Sequence, residues 1–500
     1  RYTIQAQQQS GKFFKIIEIH KFLPYKILKN LKLGFDPNIF TFKTLKIYFK
    51  NSFQLKSINK NLIDYIYPEK KPKLKPFFSI NEKIAGESYK SKLNKISKIL
   101  KKHKSDYLFV SAPENAAWIL NIRGYDNPYS PIPNCRLIIG KKKELFLITE
   151  IKKVKKILKE KKISKKQVIN PKNFAQLIER LNGNKFIIDS LSCSIFYENI
   201  IRSKFSISNI NDPCYKLKSI KNSSEIKHMI NAHIEDGVAL TKFIYWIKNV
   251  NKKKISEIEL EKKLEKFRKI NKNYLFPSFN TIAGSGSNGA IVHYRATKKT
   301  NRIIKKNDIF LCDSGGQYKF GTTDVTRTIC FSKQKQSIKN IFTKVLKGHI
   351  AVATINLNKF NTGKEIDAKA RYFLNKDGLD YAHGTGHGVG FFSNVHEGPQ
   401  SISKFNMVKI REGMILSNEP GYYKKGQYGM RIENLVYVKK INNKLLFKNL
   451  TLAPIEKDLI NFKILNENEK KYLFKYHLDV YSKISKYLNS KEKNWLASII

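Results

Sequence analysis

The chain has 500 residues, 41% of them apolar, with 95 Lys and Arg against 40 Asp and Glu, a formal net charge of +55. Length and apolar content exclude a disordered chain and allow two or three domains with real cores. The charge would ordinarily point to nucleic acid or an anionic membrane. The lysines are scattered through every segment beside Ile and Asn, however, instead of forming one stripe with interleaved aromatics, so the excess reads as compositional bias on solvated faces and no specific nucleic-acid partner is expected. One consequence is useful: carboxylates are scarce, so several in fixed register mean more than they would in an acidic protein.

The five cysteines, Cys135, Cys193, Cys214, Cys312 and Cys330, are odd in number and form no C-x-x-C pair, which suits a reducing compartment. No run of about 18 apolar residues offers a membrane span, and the opening RYTIQAQQQSG lacks the apolar core of a signal peptide. The chain begins with Arg, so the expectation is that an N-terminal portion is missing.

In chain order, residues 1–70 mix short apolar runs (FFKIIEIH, LKIYFK) with lysine-rich helical pieces and end in a linker-like stretch, YPEKKPKLKP. From there SYKSKLNKISKILKKH has helical spacing, and YLFVSA, ENAAWILNIRG, RLIIG and ELFLIT follow as alternating short strands and helices, the pattern of an α/β or α+β domain. That domain closes near NDPCYKLKSIKN. At Asn222 a capping box with Glu225 opens a long helix in which Ile226, Ile230, Ile234, Val238 and Phe243 recur at helical spacing. Ser256 and Glu259 form a second capping box, and further helices are expected at about 337–354 and 363–376. The resulting partition is 1–70, 71–216 and a third segment from 217 onward.

The chemistry concentrates in the third segment. NDIFLCDSGGQYKFGTTDVTRTICF holds strand formers at 309–312 and 325–331, with glycines marking a reversal, so two antiparallel strands would bring Asp313 and Asp324 together. HGTGHGVGFFSNVHEGP, residues 383–399, has three of the ten histidines and five glycines. Read as a strand it places His383, Thr385, His387 and Val389 on one face and four glycines on the other, where another segment can approach the backbone closely. A glycine-rich loop with solvated histidines is the alternative. MILSNEPGYY puts Glu419 at a strand end before Pro420, and YGMRIENLVYV puts Glu433 inside a strand with Arg431 on the same face. Taken singly, Asp313 could be a turn residue, Asp324 a strand-start residue, Glu433 a surface position and His387 a core histidine. Four carboxylates buried together would instead be forced toward protonation unless a cation sat among them. Two Asp, two Glu and one His suit two divalent ions with bridging carboxylates. Such a pair can turn a shared water into a hydroxide aimed at a carbonyl, so hydrolysis is the natural output.

These segments, with eleven positions from Asp313 to Asp324 and fourteen from Glu419 to Glu433, resemble the pita-bread metallopeptidases, and among them the cytosolic three-domain Xaa-Pro aminopeptidases. The resemblance implies an α+β fold: a pita-bread catalytic domain (217–455) behind creatinase-like α/β domains, the first (1–70) truncated by about half and the second at 71–216. It also implies a cytoplasmic enzyme that removes the residue preceding a proline at the second position of a peptide, with Mn2+ as the expected ion and Co2+, Zn2+ or Fe2+ as alternatives. In that pattern Asp313, Asp324, His387, Glu419 and Glu433 are the metal ligands, with Asp324 and Glu433 bridging. His293, His383 and His396 surround the substrate, and Arg431 holds a ligand carboxylate. A helical C-terminal tail, 456–500, and a homodimer supported by it are implied too, although Tyr472, Leu473, Tyr476, Leu478 and Tyr481 could equally pack onto their own domain. The competing readings are a prolidase acting on Xaa-Pro dipeptides, a methionine aminopeptidase (disfavoured by chain length), and a pita-bread binding protein that lost its chemistry.

Overall fold

The structure is a computed structural model, and it describes residues 3–19, 21–28, 30–49, 53–58, 60–68, 74–250 and 255–500. Two compact units emerge: residues 12–218, and residues 219–500 together with the N-terminal residues up to Gly11. The linker expected at 67–76 lies partly outside the described residues.

The 12–218 unit is built on a six-stranded mixed sheet. Its strands are ordered Ser206–Asn209, Lys185–Ile188, Tyr107–Val110, Arg136–Gly140, Leu145–Ile148 and Val168–Ile169. The central strands are apolar almost throughout because helices cover both faces. Alternate residues divide between two cores: Leu108, Val110, Leu137, Ile139 and Ile187 pack with Leu93, Ile96 and Leu100 of the helix Tyr89–Lys102. Tyr107, Phe109, Ile138, Phe186 and Ile188 pack with Phe174, Tyr197 and Ile201 from helices on the other side. The earlier residues of this unit form a two-stranded parallel ladder, Leu31–Phe35 with Phe53–Ser57. Among the described residues of 12–68, only Leu45 and Phe53 are fully buried apolar side chains.

The other unit opens with the helix Ser223–Asn249, started by the expected Asn222/Glu225 box. Its buried stripe is not the one the isoleucine spacing suggests: Met229, Ala232, His233, Asp236, Leu240, Phe243 and Ile247 are buried, whereas Ile226, Ile230, Ile234 and Val238 are half-buried. The cause is a polar cluster that periodicity overlooks. Asp236 takes Arg268 Nε at 2.7 Å and the Tyr318 hydroxyl at 2.7 Å, so a charged position faces the core fully paired. Helices Glu257–Lys269, Gln336–Ala353 and Gly363–Asn375 follow within a residue or so of expectation.

Three antiparallel sheets carry the site. Ile309–Ser314 lies between Ile282–Ser285 and Val325–Cys330, with Asp313 opposite Thr326. The hairpin Gly421–Lys424 with Tyr428–Arg431 leads into a five-stranded sheet ordered Glu397–Ile402, Gly386–Gly388, Ile415–Asn418, Asn434–Ile441 and Lys444–Asn449. The C-terminal helix Glu467–Ile484 buries Leu473, Tyr476 and Val480 against its own unit, with Tyr472 and Tyr481 partly buried beside them and Leu478 exposed.

Candidate active site and metal centre

One strand, two strand ends and one break between strands place the carboxylates. Asp313 is the fifth residue of its strand and Asp324 the residue just before the partner strand, so the hairpin brings them together as expected. Glu419 follows the strand Ile415–Asn418, and its N–H donates to the Thr385 carbonyl at 2.8 Å. Glu433 differs from expectation: it sits in a two-residue break between Tyr428–Arg431 and Asn434–Ile441, not inside a strand. Its own N–H donates to Thr326 O, and the Thr326 hydroxyl donates to Glu433 Oε2 at 2.7 Å. The break lets a buried carboxylate turn toward the cavity while the backbone stays paired.

The glycine-rich stretch is extended for only three residues, Gly386–Gly388, but the close approach it promises is present. A Cβ on Gly386 would collide with the Ser417 carbonyl, and one on Gly388 with the Glu397 carbonyl. His387 is thereby set against the Glu419 strand, with Nε2 at 3.4 Å from Asp324 Oδ2 and 3.6 Å from Glu419 Oε1. Asp324, His387 and Glu433 each present a ligand atom within 4.8 Å of one another. All five expected ligand residues line one cavity of about 440 Å3, together with His293, His396, Arg295 and Arg431. Phe279, Ile282, Val292 and Val395 supply its apolar wall, and Gln5 from the helix Thr3–Ser10 reaches it as well.

Burial, and then repulsion from Asp313 and Glu419, drive the Asp324 carboxyl well above the usual carboxylate range, against a hydrogen bond with Glu433 that works the other way. Burial, and then repulsion from Asp324, Asp313 and Glu419, do the same to the Glu433 carboxyl. Among the described residues one cation stands inside this group. Arg431, itself buried, reaches Asp313 Oδ2 at 2.5 Å, the Thr326 hydroxyl at 3.0 Å and the Tyr423 hydroxyl at 2.5 Å. Asp313 Oδ1, by contrast, is buried and has no hydrogen-bond partner. A lone carboxylate oxygen without a donor, among carboxyls pushed toward protonation, is what divalent cations would satisfy, and a donor set of four carboxylates and one imidazole is a hard-ion set. The residues present therefore fit a metal pair. Cys330, Glu456 and Asp458 are equally close together, but Lys248 Nζ bridges both carboxylates at 2.7 and 3.0 Å, so that group already has its cation.

The three histidines of the stretch separate. His387 and His396 face each other, with ring centroids 3.9 Å apart, and His396 is exposed to the cavity. Both also border a second cavity of about 420 Å3, walled by Gly384, Pro399, Gln400 and Ser401. His383 lies deeper and is not on either wall. Its Nδ1 is 2.7 Å from Gly384 O and its Nε2 2.8 Å from the Tyr423 hydroxyl, while Arg371 donates to its carbonyl. Since Arg431 donates to the Tyr423 oxygen, the tyrosine proton is left to point at His383. Burial pushes the Tyr423 phenol up to about 12, and Arg431 works against that rise. Sequence reasoning missed Tyr423, Thr326, Arg295 and Gln5. The spacing Tyr423-x7-Arg431 marks the first only once the intervening hairpin is known.

Comparison with known proteins gives a consistent result. Residues 227–440 match metallopeptidase family M24, residues 68–225 the creatinase/prolidase N-terminal domain, and residues 443–499 the C-terminal region of peptidase M24. The probable Xaa-Pro aminopeptidase P of Coprinopsis cinerea is 34% identical over 99% of this chain and 87% of that protein. The X-prolyl aminopeptidase of Caenorhabditis elegans, described as a cytosolic enzyme with a di-nuclear active site, superposes with a TM-score of 0.89 at 29% identity, covering 100% of this chain and 86% of its own. A prolidase from Thermococcus sibiricus reaches a TM-score of 0.60 at 27% identity over 74% of this chain and 98% of its own. With a full-length relative above 30% identity and a site whose donors suit a metal pair, the chain belongs to metallopeptidase family M24, in its Xaa-Pro aminopeptidase P branch.

Proposed function

We propose that this chain is a metal-dependent aminopeptidase that hydrolyses the bond between the first residue of a peptide and a proline at the second position. The observation that carries the reading is the convergence of Asp313, Asp324, His387, Glu419 and Glu433 at one cavity, with Asp313 Oδ1 buried and unsatisfied. These five would hold two divalent ions, which when bound supply an activated water and polarisation of the scissile carbonyl. Mn2+ is our choice, and Co2+, Zn2+ and Fe2+ suit the same donors.

The chain's own groups account for the rest. An Xaa-Pro bond is a tertiary amide without an N–H, so the substrate is gripped by shape and by its free amine. Phe279, Ile282, Val292 and Val395 offer an apolar seat for the ring, and the acidic cluster attracts the amine. Water adds to the carbonyl carbon, the C–N bond breaks, and the proline nitrogen must receive a proton. His396 and His293, both on the cavity wall, are the groups placed to deliver it. Arg431 keeps Asp313 oriented. His383, held between Gly384 O and Tyr423, acts by bracing the hydrogen-bonded row that ends at Asp313.

The domain limits near 70, 216 and 455 remain our reading of the modules. Five unpaired, buried cysteines and a cytosolic neighbour support a cytoplasmic location. No described helix is long and apolar enough to cross a membrane. Exposed Phe474 and Leu478, one turn apart on the C-terminal helix, support a homodimer through that surface.

The test is hydrolysis of Arg-Pro-Pro, beside an Xaa-Pro dipeptide and a Met-Ala peptide, by metal-stripped protein refilled with Mn2+, with Glu419→Ala alongside. Metal-dependent release of arginine that the variant lacks is the expected result. Cleavage confined to the dipeptide would assign a prolidase instead, and a folded, metal-loaded protein that cleaves nothing would overturn the enzyme reading.

A further inference from the structure

We propose that Lys221 is a positioning residue for hydrolysis: its buried ion pair with Glu397 holds the segment carrying His396 in register with His387. The inference rests on the function proposed above, where His396 is one of the two groups placed to deliver a proton.

Lys221 Nζ lies 2.5 Å from Glu397 Oε1, and the two side chains are 1% and 2% exposed. Lysine is strongly hydrated and flexible, so complete burial of its ammonium is costly and is tolerated only against a well-placed partner. Both ends of the pair are anchored. The Lys221 N–H donates to Gly413 O at 2.9 Å, and Ile220 bridges Met414 in antiparallel fashion. Gly413 has φ +82°, and a Cβ there would crowd Lys221 O, so the two segments are in contact along their backbones. Immediately downstream the Asn222/Glu225 box fixes the start of the long helix.

At the other end, Glu397 is the first residue of its strand and pairs with Gly388, across a register shift between His387 and Gly388. The residue before it is His396, which is exposed to the cavity while Glu397 is buried. The imidazole of His396 reaches the cavity from the backbone it stands on, and that backbone is continuous with the buried Glu397 that Lys221 holds. An apolar pair of the same volume would fill the space at less cost, but it would lack the direction that a charge-assisted hydrogen bond imposes along the strand.

The experiment uses full-length, Mn2+-loaded protein with Arg-Pro-Pro. It compares the wild type with Lys221→Met, the double variant Lys221→Met/Glu397→Gln, and Lys221→Arg. Lys221→Met leaves a buried, unpaired carboxylate and can fail to fold, so the double variant, which removes both charges, carries the decision. Expected is a double variant that melts within a few degrees of the wild type and holds the same metal per chain. Its kcat should fall by about a hundredfold, with KM changed much less, the size of loss that a misplacement of about 1 Å produces. Lys221→Arg should recover most of kcat. In zinc-loaded protein labelled with 13C-histidine, the His396 ring signal, assigned by its loss in His396→Ala, should shift or broaden in the double variant. A folded, metal-loaded double variant with wild-type kcat and an unmoved His396 signal would overturn the proposal, as would a kcat loss matching only the loss of folded protein. If the wild type cleaves no Xaa-Pro peptide, the function fails separately, and the His396 signal still decides the positioning role: a shift supports it and no shift overturns it.

Discussion

Replacing Asp324 by asparagine in metal-free protein should stabilise the fold while abolishing hydrolysis. The ligand atoms of Asp324 and Glu433 lie no more than 4.8 Å apart, and both carboxyls are buried. Two full charges at that distance repel by about 3.5 kcal/mol at an effective dielectric of 20. Asparagine keeps the shape, removes the charge, and can donate to the Glu433 carboxylate. The sign with pH follows from the direction of the shifts. Both carboxyls are raised in the folded state, so the stability they allow is fully present below the unfolded value near 4 and is lost as pH rises through the folded values. The advantage of the variant should thus be small near pH 4.5 and grow toward pH 8. With a shift of about 2 to 4 °C per kcal/mol for a unit of this size, the midpoint should rise by roughly 7 to 14 °C at pH 7.5. The assay is calorimetry of chelator-treated wild type and Asp324→Asn across that pH range, repeated with Mn2+. Metal should raise the wild-type midpoint, by about 2.7 kcal/mol of stability at a hundredfold excess over Kd, and do little for the variant. A metal-free variant less stable than the wild type at pH 7.5, with a difference that does not change with pH, would refute the picture of an uncompensated acidic cluster.

Other outcomes follow from single contacts. Gly386→Ala should cost about 1–3 kcal/mol and weaken metal binding, because the new methyl collides with Ser417 O and spreads the His387 strand from the Glu419 strand; metal content by mass spectrometry checks it. Thr326→Val removes a donor to Glu433 and an acceptor for Arg431, and metal affinity should drop by about 10- to 100-fold in a competition titration while the fold persists. Tyr423→Phe leaves packing intact but cuts the link from Arg431 to His383, and should lower kcat by about 10- to 100-fold with unchanged metal content. Arg327→Met should be the most damaging for stability, by about 3–5 kcal/mol. The guanidinium is 1% exposed and donates to the carbonyls of Thr326, Glu433, Ala453 and Pro454 and to Tyr476. Soluble yield and melting temperature report it.

Local chemistry was legible in the residues themselves. Capping boxes at Asn222 and Ser256, the Asp313–Asp324 hairpin, the strand end at Glu419 and the crowded face of Gly386 and Gly388 all depend on neighbours within a few positions. That is why periodicity and turn chemistry reach them. The five ligand candidates were legible for the same reason, each being a charged or imidazole side chain set against an apolar pattern that demands an explanation. Long-range pairing decided the rest. Asp236 lies outside the apolar spacing of its helix, and only the fold brings Arg268 and Tyr318 to it in the core. Glu433 reads as a strand residue until Thr326, over a hundred positions earlier, takes both its amide and its carboxylate at a break in the ladder. Tyr423, Arg327 and the Lys221–Glu397 pair join residues that no window of sequence contains together. Spacing identifies groups that want a cation or a base. Only the closed fold, by removing water from around them, sets which partner each buried charge obtains and therefore which groups are left facing the substrate.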